Sequence, residues 1–199
     1  MNQLNKLYLG RKKEIEKRLN DFSMVKGDQL FYELCFCLLT PQSSAFRSDE
    51  KIRILREKDF LHRNFDPHPI IKDLRFHNNR NKYLIELKQN YPKIKKILND
   101  GYKSEELRDI LIENVKGISM KESSHFLRNT GHRNLAILDR HIFKNLVKLG
   151  VIDQIPRTLT RKRYLETEKK FKEFSKKVNI PMDHLDLLFW SLETGKIFK

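Results

Sequence analysis

The amino-acid sequence predicts an all-helical (all-α) protein. Apolar residues recur at intervals of three and four along almost the whole chain, a spacing that lines one face of an α-helix. No stretch of strand length alternates apolar with polar residues. Prolines, glycines and capping residues stand where the periodic stretches begin and end. With 199 residues, 39% of them hydrophobic, the chain can form one domain or two small packed halves.

The first half of the chain is predicted to contain six helices. Asp28 can cap the second of them, because an aspartate side chain accepts hydrogen bonds from the first free amides of a helix. Pro41 lies near its end, and Pro92 begins the sixth helix, since proline fits the first position of a helix better than its interior. The predicted helices span residues 4–22, 29–39, 43–58, 67–74 and 79–89, followed by a short one from Pro92.

Five further helices are predicted in the second half. Ser119 begins the second of these, and Glu122 three residues later completes a capping box. Asp139 caps the third, which Gly150 ends. The predicted helices span residues 104–115, 119–131, 139–149, 160–177 and 181–192.

The chain carries a large excess of positive charge. Lysine and arginine number 41 against 26 acidic residues, which gives a formal net charge of +15 and indicates a polyanionic partner. No segment reaches the roughly 18 uninterrupted apolar residues of a membrane span, and residues 1–13 do not form a signal peptide. We therefore expect a nucleic-acid partner, no membrane, and a cytoplasmic, nucleoid-associated location. The alternative is that the lysines serve only solubility.

The two cysteines do not suggest a metal site. Cys35 and Cys37 stand two apart in an apolar run, where helical geometry separates them by about 200° around the axis. They are predicted to be thiols of the core. The sequence has neither the four cysteines of an iron–sulfur cluster nor the His/Cys spacing of a zinc site, so no metal or other cofactor is expected.

Residues 115–121 join two predicted helices through a very short connection. Gly117 permits a backbone conformation that other side chains would block, and successive amide N–H groups then point outward at a helix N-terminus. A DNA phosphate fits such a site, which makes Lys116, Gly117 and Ser119 candidate DNA-binding residues. The alternative is an ordinary tight connection between helices, since short strings of this kind recur by chance.

Lys121 and Asp139 are the candidate catalytic pair. Lys121 lies at a helix start, where the helix dipole and neighbouring cations disfavour its protonated form, and a neutral amine is a nucleophile. Taken singly, Lys121 is equally a solvated surface lysine and Asp139 a simple N-cap. The combination, with the aspartate eighteen residues after the lysine, is the specific signal.

This combination resembles the helix-hairpin-helix DNA glycosylases. In that superfamily a hairpin Gly-x-Gly precedes a catalytic lysine, and an Asp-x-His string follows. The corresponding strings here are Gly117-Ile118-Ser119-Met120-Lys121 and Asp139-Arg140-His141-Ile142-Phe143. Ser119 departs from the pattern, because many relatives have a second glycine there.

Other segments resemble the archaeal-type 8-oxoguanine DNA glycosylase/AP lyases in particular. The resemblance runs from about residue 31 to residue 199 and is most specific at the C-terminal end. The segments are Leu39-Thr40-Pro41-Gln42-Ser43, Arg75-Phe76-His77-Asn78-Asn79-Arg80, Asp186-Leu187-Leu188-Phe189-Trp190 and Thr194-Gly195-Lys196-Ile197-Phe198-Lys199.

The resemblance implies a helix-hairpin-helix DNA glycosylase fold in which two helical subdomains flank a DNA-binding groove. One subdomain would contain residues 1–25 and 118–199, the other a helical barrel of residues 26–117, with the hairpin 115–121 at their junction. The implied activity is excision of 8-oxoguanine from double-stranded DNA by a monomer, followed by strand cleavage. Lys121 would form a Schiff base with C1′ of the deoxyribose, assisted by Asp139.

The resemblance also implies roles for residues that recognise the damaged base. Gln42 would enter the duplex, Phe76 and Trp190 would sandwich the extruded purine, and Lys199 would recognise the oxidised guanine. Asp186, one helical turn before Trp190, completes the predicted substrate-binding residues, and His141 is predicted to contact DNA. The sequence leaves two alternative functions open. The protein could be a helix-hairpin-helix glycosylase for another damaged base or a non-catalytic helical nucleic-acid-binding protein.

Overall fold

Ten α-helices form the secondary structure of residues 2–199, the part of the chain that this computed structural model describes. No strand occurs in this range, which confirms the all-helical prediction. Within it, no helix combines the length and apolar character needed to cross a bilayer. The helices are α1 Asn2–Ser23, α2 Gln29–Leu39, α3 Ala45–Glu57, α4 His68–Ile71, α5 His77–Asn99, α6 Ser104–Asn114, α7 Met120–Asn129, α8 Arg140–Lys148, α9 Arg161–Val178 and α10 Met182–Thr194.

The two helices predicted on either side of Pro92 are a single helix, α5, with the proline in its interior. The prediction of a break was therefore wrong. An interior proline removes a hydrogen bond and costs about 3 kcal/mol. The buried face of α5 continues through this position, since Leu87, Tyr91 and Ile94 are each at most 3% exposed. Burial of this continuous apolar face offsets the cost of the proline.

Asp28 directly precedes α2 but does not cap it. Its backbone is already helical, and its side chain makes no bond to the helix amides. The carboxylate instead lies 3.0 Å from His62 Nε2 and 3.8 Å from Lys95 Nζ. The predicted cap was thus wrong, because tertiary partners engage the carboxylate.

Residues 25–126 form one compact unit around α2. Nine of the eleven residues of α2 are buried, and the helix packs against α3 and α5. Phe31 of α2 contacts Tyr91 of α5, with ring centroids 5.0 Å apart. Cys35 and Cys37 are free and buried here, and burial raises the pKa of the Cys35 thiol well above its ordinary value. They are thus part of the core, as predicted.

Residues 2–24 and 127–199 form the second compact unit, in which α10 is central. This helix packs against α1, α8 and α9. Phe189 of α10 stacks on Phe171 of α9, with ring centroids 6.0 Å apart. Asp183 and Asp186 are buried among the apolar residues of α10. The boundary between the units falls within α7, after Phe126.

Candidate active site

The connection between α6 and α7 is shaped by a glycine that packs on an aromatic ring. Gly117 has a φ of +91°, in the region that side chains rarely adopt. A Cβ atom at this position would lie 2.4 Å from Cδ2 of Tyr83. Glycine is therefore required both by the backbone conformation and by the ring, and Tyr83 of α5 supports the turn.

Lys116 extends from the same turn toward α5. Its side chain is 65% exposed, and its Nζ lies 3.5 Å from Oε2 of Glu86. An exposed ion pair of this kind contributes little to stability. The ammonium group can therefore exchange this carboxylate for a phosphate oxygen at little cost.

Glu122 forms its half of the predicted capping box at the start of α7, whereas the Ser119 hydroxyl bonds to this carboxylate and not to a helix amide. The backbone N–H of Ser119 donates to Glu122 Oε2 at 3.2 Å, and the Ser119 hydroxyl donates to the same oxygen. The Glu122 residue is only 5% exposed. Ser119, which stands where many relatives have glycine, is thus held to α7 through both its amide and its hydroxyl.

Lys121 is partly exposed and lies beside this carboxylate. Its Nζ is 2.9 Å from Glu122 Oε1, and its side chain is 27% exposed. Burial alone would raise the pKa of Glu122, but the charge of Lys121 and hydrogen bonds from Lys121 and Ser119 hold it below its ordinary value. The sequence led us to expect cations next to Lys121. The structure instead places an anion there, because Glu122 turns back toward the helix start.

Asp139 caps α8, as the sequence predicted. Its Oδ1 accepts hydrogen bonds from the backbone N–H groups of His141 and Ile142, both at 2.8 Å. Both bonds use the same oxygen, so Oδ2 can take another partner. His141 is partly exposed at the first turn of this helix, and its Nε2 accepts a hydrogen bond from Arg140 Nε at 3.2 Å.

Asp186 belongs to a buried charged group in the same unit as Asp139. It is 6% exposed, and its Oδ2 accepts a hydrogen bond from Nη1 of Arg128, itself 3% exposed. Burial raises the pKa of Asp186 to about 7; Arg128 opposes this shift, whereas the charges of Asp139 and Asp183 add to it. The structure therefore brings Asp139 and Asp186 close enough to interact electrostatically.

The C-terminal segment folds back onto the end of α10. Gly195 reverses the chain with a φ of +83°. The ring of Phe198 then stacks on Trp190, with centroids 6.2 Å apart and planes 28° apart. Trp190 and Lys199 are both partly exposed. This stacking holds the segment that ends in Lys199 beside the tryptophan.

Gln42 and Phe76 share an unusual backbone conformation in the other unit. Their φ values are +53° and +59°, although neither is glycine. Such residues cost of order 1 kcal/mol or more and cluster at functional sites. Gln42 is exposed and Phe76 is 50% exposed, so neither belongs to the core. The guanidinium carbon of Arg75 lies 5.0 Å from the centroid of the Phe76 ring.

Arg80 holds the residues on both sides of Gln42. Its Nη1 donates to the Ser43 hydroxyl at 2.9 Å, and its Nη2 donates to the carbonyl oxygen of Pro41. Arg80 is 3% exposed, and burial lowers the pKa of its guanidinium. Beside this loop is a polar cavity of about 390 Å³, lined by Gln42, Ser43, Ser44, Arg47, Asp73, Leu74 and Arg75.

The candidate residues divide between the two units. Residues 25–126 contain Gln42, Phe76, Lys116, Gly117, Ser119 and Lys121, and the other unit contains Asp139, His141, Asp186, Trp190 and Lys199. Among residues 2–199, no group of three His, Cys, Asp or Glu side chains could hold a metal ion. Sequence reasoning assigned no site role to Tyr83, Arg80, Glu122, Arg128 or Phe198. Glu122 had a local signal in its capping-box spacing, and Arg80 and Phe198 lie in segments that resemble the family, whereas Tyr83 and Arg128 had no such signal.

The sequence is similar to a known protein family and to its members. Residues 15–180 match the family model for 8-oxoguanine DNA glycosylase. The chain is 41% identical over 211 residues to an 8-oxoguanine DNA glycosylase/AP lyase of Fusobacterium nucleatum subsp. nucleatum, covering 100% of this chain and 97% of that protein.

The fold is similar to solved structures of 8-oxoguanine DNA glycosylases. A crystal structure of the 8-oxoguanine glycosylase/lyase of Methanocaldococcus jannaschii in complex with 15mer DNA containing 8-oxoguanine matches with a TM-score of 0.88 and 34% identity, covering 100% of both chains. The 8-oxoguanine DNA glycosylase of Thermotoga maritima matches with a TM-score of 0.89 and 30% identity, covering 100% of this chain and 97% of that one.

Proposed function

Since the chain belongs to the 8-oxoguanine DNA glycosylase family, we propose that it excises 8-oxoguanine from double-stranded DNA in base excision repair and then cleaves the strand as an AP lyase. The observation that carries this proposal is Lys121, a partly exposed amine in the first turn after a glycine hairpin, in a chain 41% identical to such an enzyme over its whole length. Its substrate is genomic DNA, so we also propose a cytoplasmic, nucleoid-associated location. The proposed division of the chain into two subdomains remains a prediction. One would contain residues 1–25 and 118–199, and the other residues 26–117.

The first step is extrusion of the damaged nucleotide. Removing a base from the stack costs a few kcal/mol. Gln42, exposed on a loop that Arg80 holds on both sides, enters the duplex and fills the space. Phe76 and Trp190 each stack on the extruded purine, and a base on an aromatic ring gains about 1 to 3 kcal/mol. Stacking thus offsets the cost of extrusion.

Recognition of the base and of the backbone uses other residues. Lys199, held beside Trp190 by the stacking of Phe198, distinguishes the oxidised purine from guanine. Asp186 is proposed as a further substrate-binding residue. Lys116 and the turn at Gly117 and Ser119 bind a phosphate, as amide groups at a helix N-terminus do, and His141 contacts DNA at the start of α8.

The chemical steps use Lys121 as nucleophile. Asp139 takes up a proton as the amine is activated and stabilises positive charge on the sugar while the glycosidic bond loosens. The amine nitrogen bonds to C1′, and the bond from C1′ to the base breaks, so that 8-oxoguanine leaves with a proton. The bond from C1′ to the ring oxygen O4′ then opens, O4′ takes up a proton, and C1′ and the lysine nitrogen form the Schiff base. This Schiff base accepts the electrons released when a 2′ proton is lost, and the 3′ phosphate leaves.

The proposal is tested by incubating the protein with duplexes that carry 8-oxoguanine, an oxidised pyrimidine, an alkylated purine or no lesion. Release of free base and strand cleavage are measured separately. We expect both with the 8-oxoguanine duplex and little of either with the others. Preferential release of a different base, or salt-sensitive binding with no base release, would contradict the proposal.

A further inference from the structure

Glu122 connects the hairpin to the proposed nucleophile through its two oxygens. Oε2 accepts hydrogen bonds from the N–H and the hydroxyl of Ser119 in the hairpin. Oε1 lies 2.9 Å from Nζ of Lys121. One carboxylate therefore holds the turn on one side and the amine on the other.

This arrangement exceeds what a helix cap requires. A capping glutamate needs only to accept the backbone N–H at the helix start, and such ends are normally solvated. Glu122 is 5% exposed, and burying a carboxylate is unfavourable unless it is paired and hydrogen-bonded. Lys121 and Ser119 supply this pairing, which keeps the pKa of Glu122 below its ordinary value. A buried anion with these two partners indicates a role beyond capping.

We propose that Glu122 is a positioning residue that anchors the Lys121 amine to the hairpin. This inference rests on the proposed function, in which Lys121 attacks C1′ of a nucleotide whose backbone the hairpin binds. A lysine side chain has four rotatable bonds, so an unanchored amine samples many positions. Holding it at a fixed place relative to the bound phosphate increases the fraction of encounters with productive geometry.

The parts that Glu122 joins are themselves supported. On one side, Tyr83 packs against Gly117 and so holds the turn. On the other, the Ser123 hydroxyl donates to the carbonyl oxygen of Arg108 at 3.1 Å, which ties the first turn of α7 to α6. Glu122 thus connects Lys121 to a turn supported by its neighbours.

The test substrate is a duplex with a preformed abasic site, on which reaction requires the amine but no base extrusion. The measurement is the single-turnover rate of covalent trapping by borohydride. Glu122→Gln keeps an oxygen that can accept from Ser119 but removes the charge that anchors Lys121. We expect trapping to slow by about ten-fold or more, while the Kd for an undamaged duplex stays within about two-fold, because the hairpin is retained.

Ser119→Ala provides a second variant, which keeps the Glu122 carboxylate and its contact with Lys121. It removes the hydroxyl contact to Glu122, and we expect trapping to slow by about two- to five-fold. The double variant should trap abasic DNA only slightly more slowly than Glu122→Gln alone, since both changes break the same connection. Glu113→Gln is the matched control: it removes an exposed carboxylate at the end of α6 and should leave trapping unchanged.

Three outcomes would overturn the proposal. The first is a wild-type trapping rate in Glu122→Gln. The second is slower trapping that is accompanied by a comparable loss of DNA affinity and by a lower melting temperature. The third is a double variant in which the two effects on the trapping rate multiply. If Glu122→Gln does not fold, wild-type trapping by Ser119→Ala overturns it. Failure of the wild-type protein to trap abasic DNA would contradict the proposed function instead, so the two failures are distinguishable.

Discussion

The ring of Tyr83 occupies the space that a side chain at residue 117 would need. A Cβ on Gly117 would lie 2.4 Å from Tyr83 Cδ2. The positive φ of +91° at Gly117 adds a second barrier to substitution. The turn that we propose to bind phosphate is therefore shaped by α5, a helix distant in sequence.

Gly117→Ala is expected to weaken both stability and DNA binding. The strained backbone alone costs about 1 to 3 kcal/mol, and Tyr83 must also move. Thermal unfolding and binding to an undamaged duplex measure the two effects. The control is Gly10→Ala in α1, where a Cβ meets no atom within 4 Å and alanine favours the helix. Equal behaviour of the two variants would show that the turn does not depend on glycine.

Arg80→Met is expected to impair base excision more than strand cleavage at a preformed abasic site. Arg80 holds Pro41 and Ser43, so its loss frees the loop that carries Gln42. Excision requires extrusion of the base, whereas the abasic substrate has no base to extrude. We expect excision to fall by about ten-fold or more relative to lyase activity. Gln42→Ala should show the same pattern, and a core variant, Leu55→Ala, should not. Parallel loss of both activities in Arg80→Met would indicate a merely structural arginine.

Asp186 is expected to make the stability of the protein depend on pH. Burial raises its pKa from 3.8 to about 7 in the folded state, so the fold favours the protonated form. The resulting stabilisation is complete below the unfolded-state pKa near 3.8 and is lost as pH rises through about 7.

Comparison with Asp186→Asn isolates this group, because asparagine does not titrate. Between about pH 4 and pH 7, wild-type protein should lose free energy of unfolding relative to the variant. Denaturant unfolding across this range measures the difference. The opposite slope would mean that the ion pair with Arg128 outweighs burial and lowers the pKa of Asp186.

Trp190 is the only tryptophan of the chain, so intrinsic fluorescence reports on the proposed base pocket. Stacking of a purine on the indole should quench its emission. With Lys121→Gln, which prevents turnover, a duplex containing 8-oxoguanine should quench more strongly than an undamaged duplex. Phe198→Ala should shift the emission of the free protein to longer wavelength, because Phe198 covers one side of Trp190. Equal quenching by the two duplexes would argue against a role of Trp190 in base binding.

Local sequence patterns predicted most of the helices and the Asp139 cap, because apolar spacing and capping residues act over a few residues. The prediction failed at Pro92, where buried contacts across α5 decide the outcome, and at Asp28, whose carboxylate is engaged by His62 and Lys95. Both errors have the same cause: tertiary contacts outweigh a local preference.

The candidate site was predictable where a residue belongs to a continuous string, as Lys121 does. Arg80 also lies in a family-like string, but its role was not predictable, because its partner Ser43 lies 37 residues away. The capping box made the contact of Glu122 with Ser119 predictable. Its contact with Lys121 was not, because it depends on where the lysine side chain lies in three dimensions. The sequence does not contain that information in any local pattern.

Covalent trapping on DNA containing 8-oxoguanine tests whether Lys121 is the nucleophile. The protein is incubated with the duplex in the presence of borohydride, which reduces a Schiff base to a stable bond, and the attached residue is located by mass spectrometry. We expect one adduct, on Lys121, which Lys121→Ala abolishes and Lys116→Ala, a change in the neighbouring exposed lysine, leaves in place. No adduct, or an adduct that persists in Lys121→Ala, would show that Lys121 is not the nucleophile.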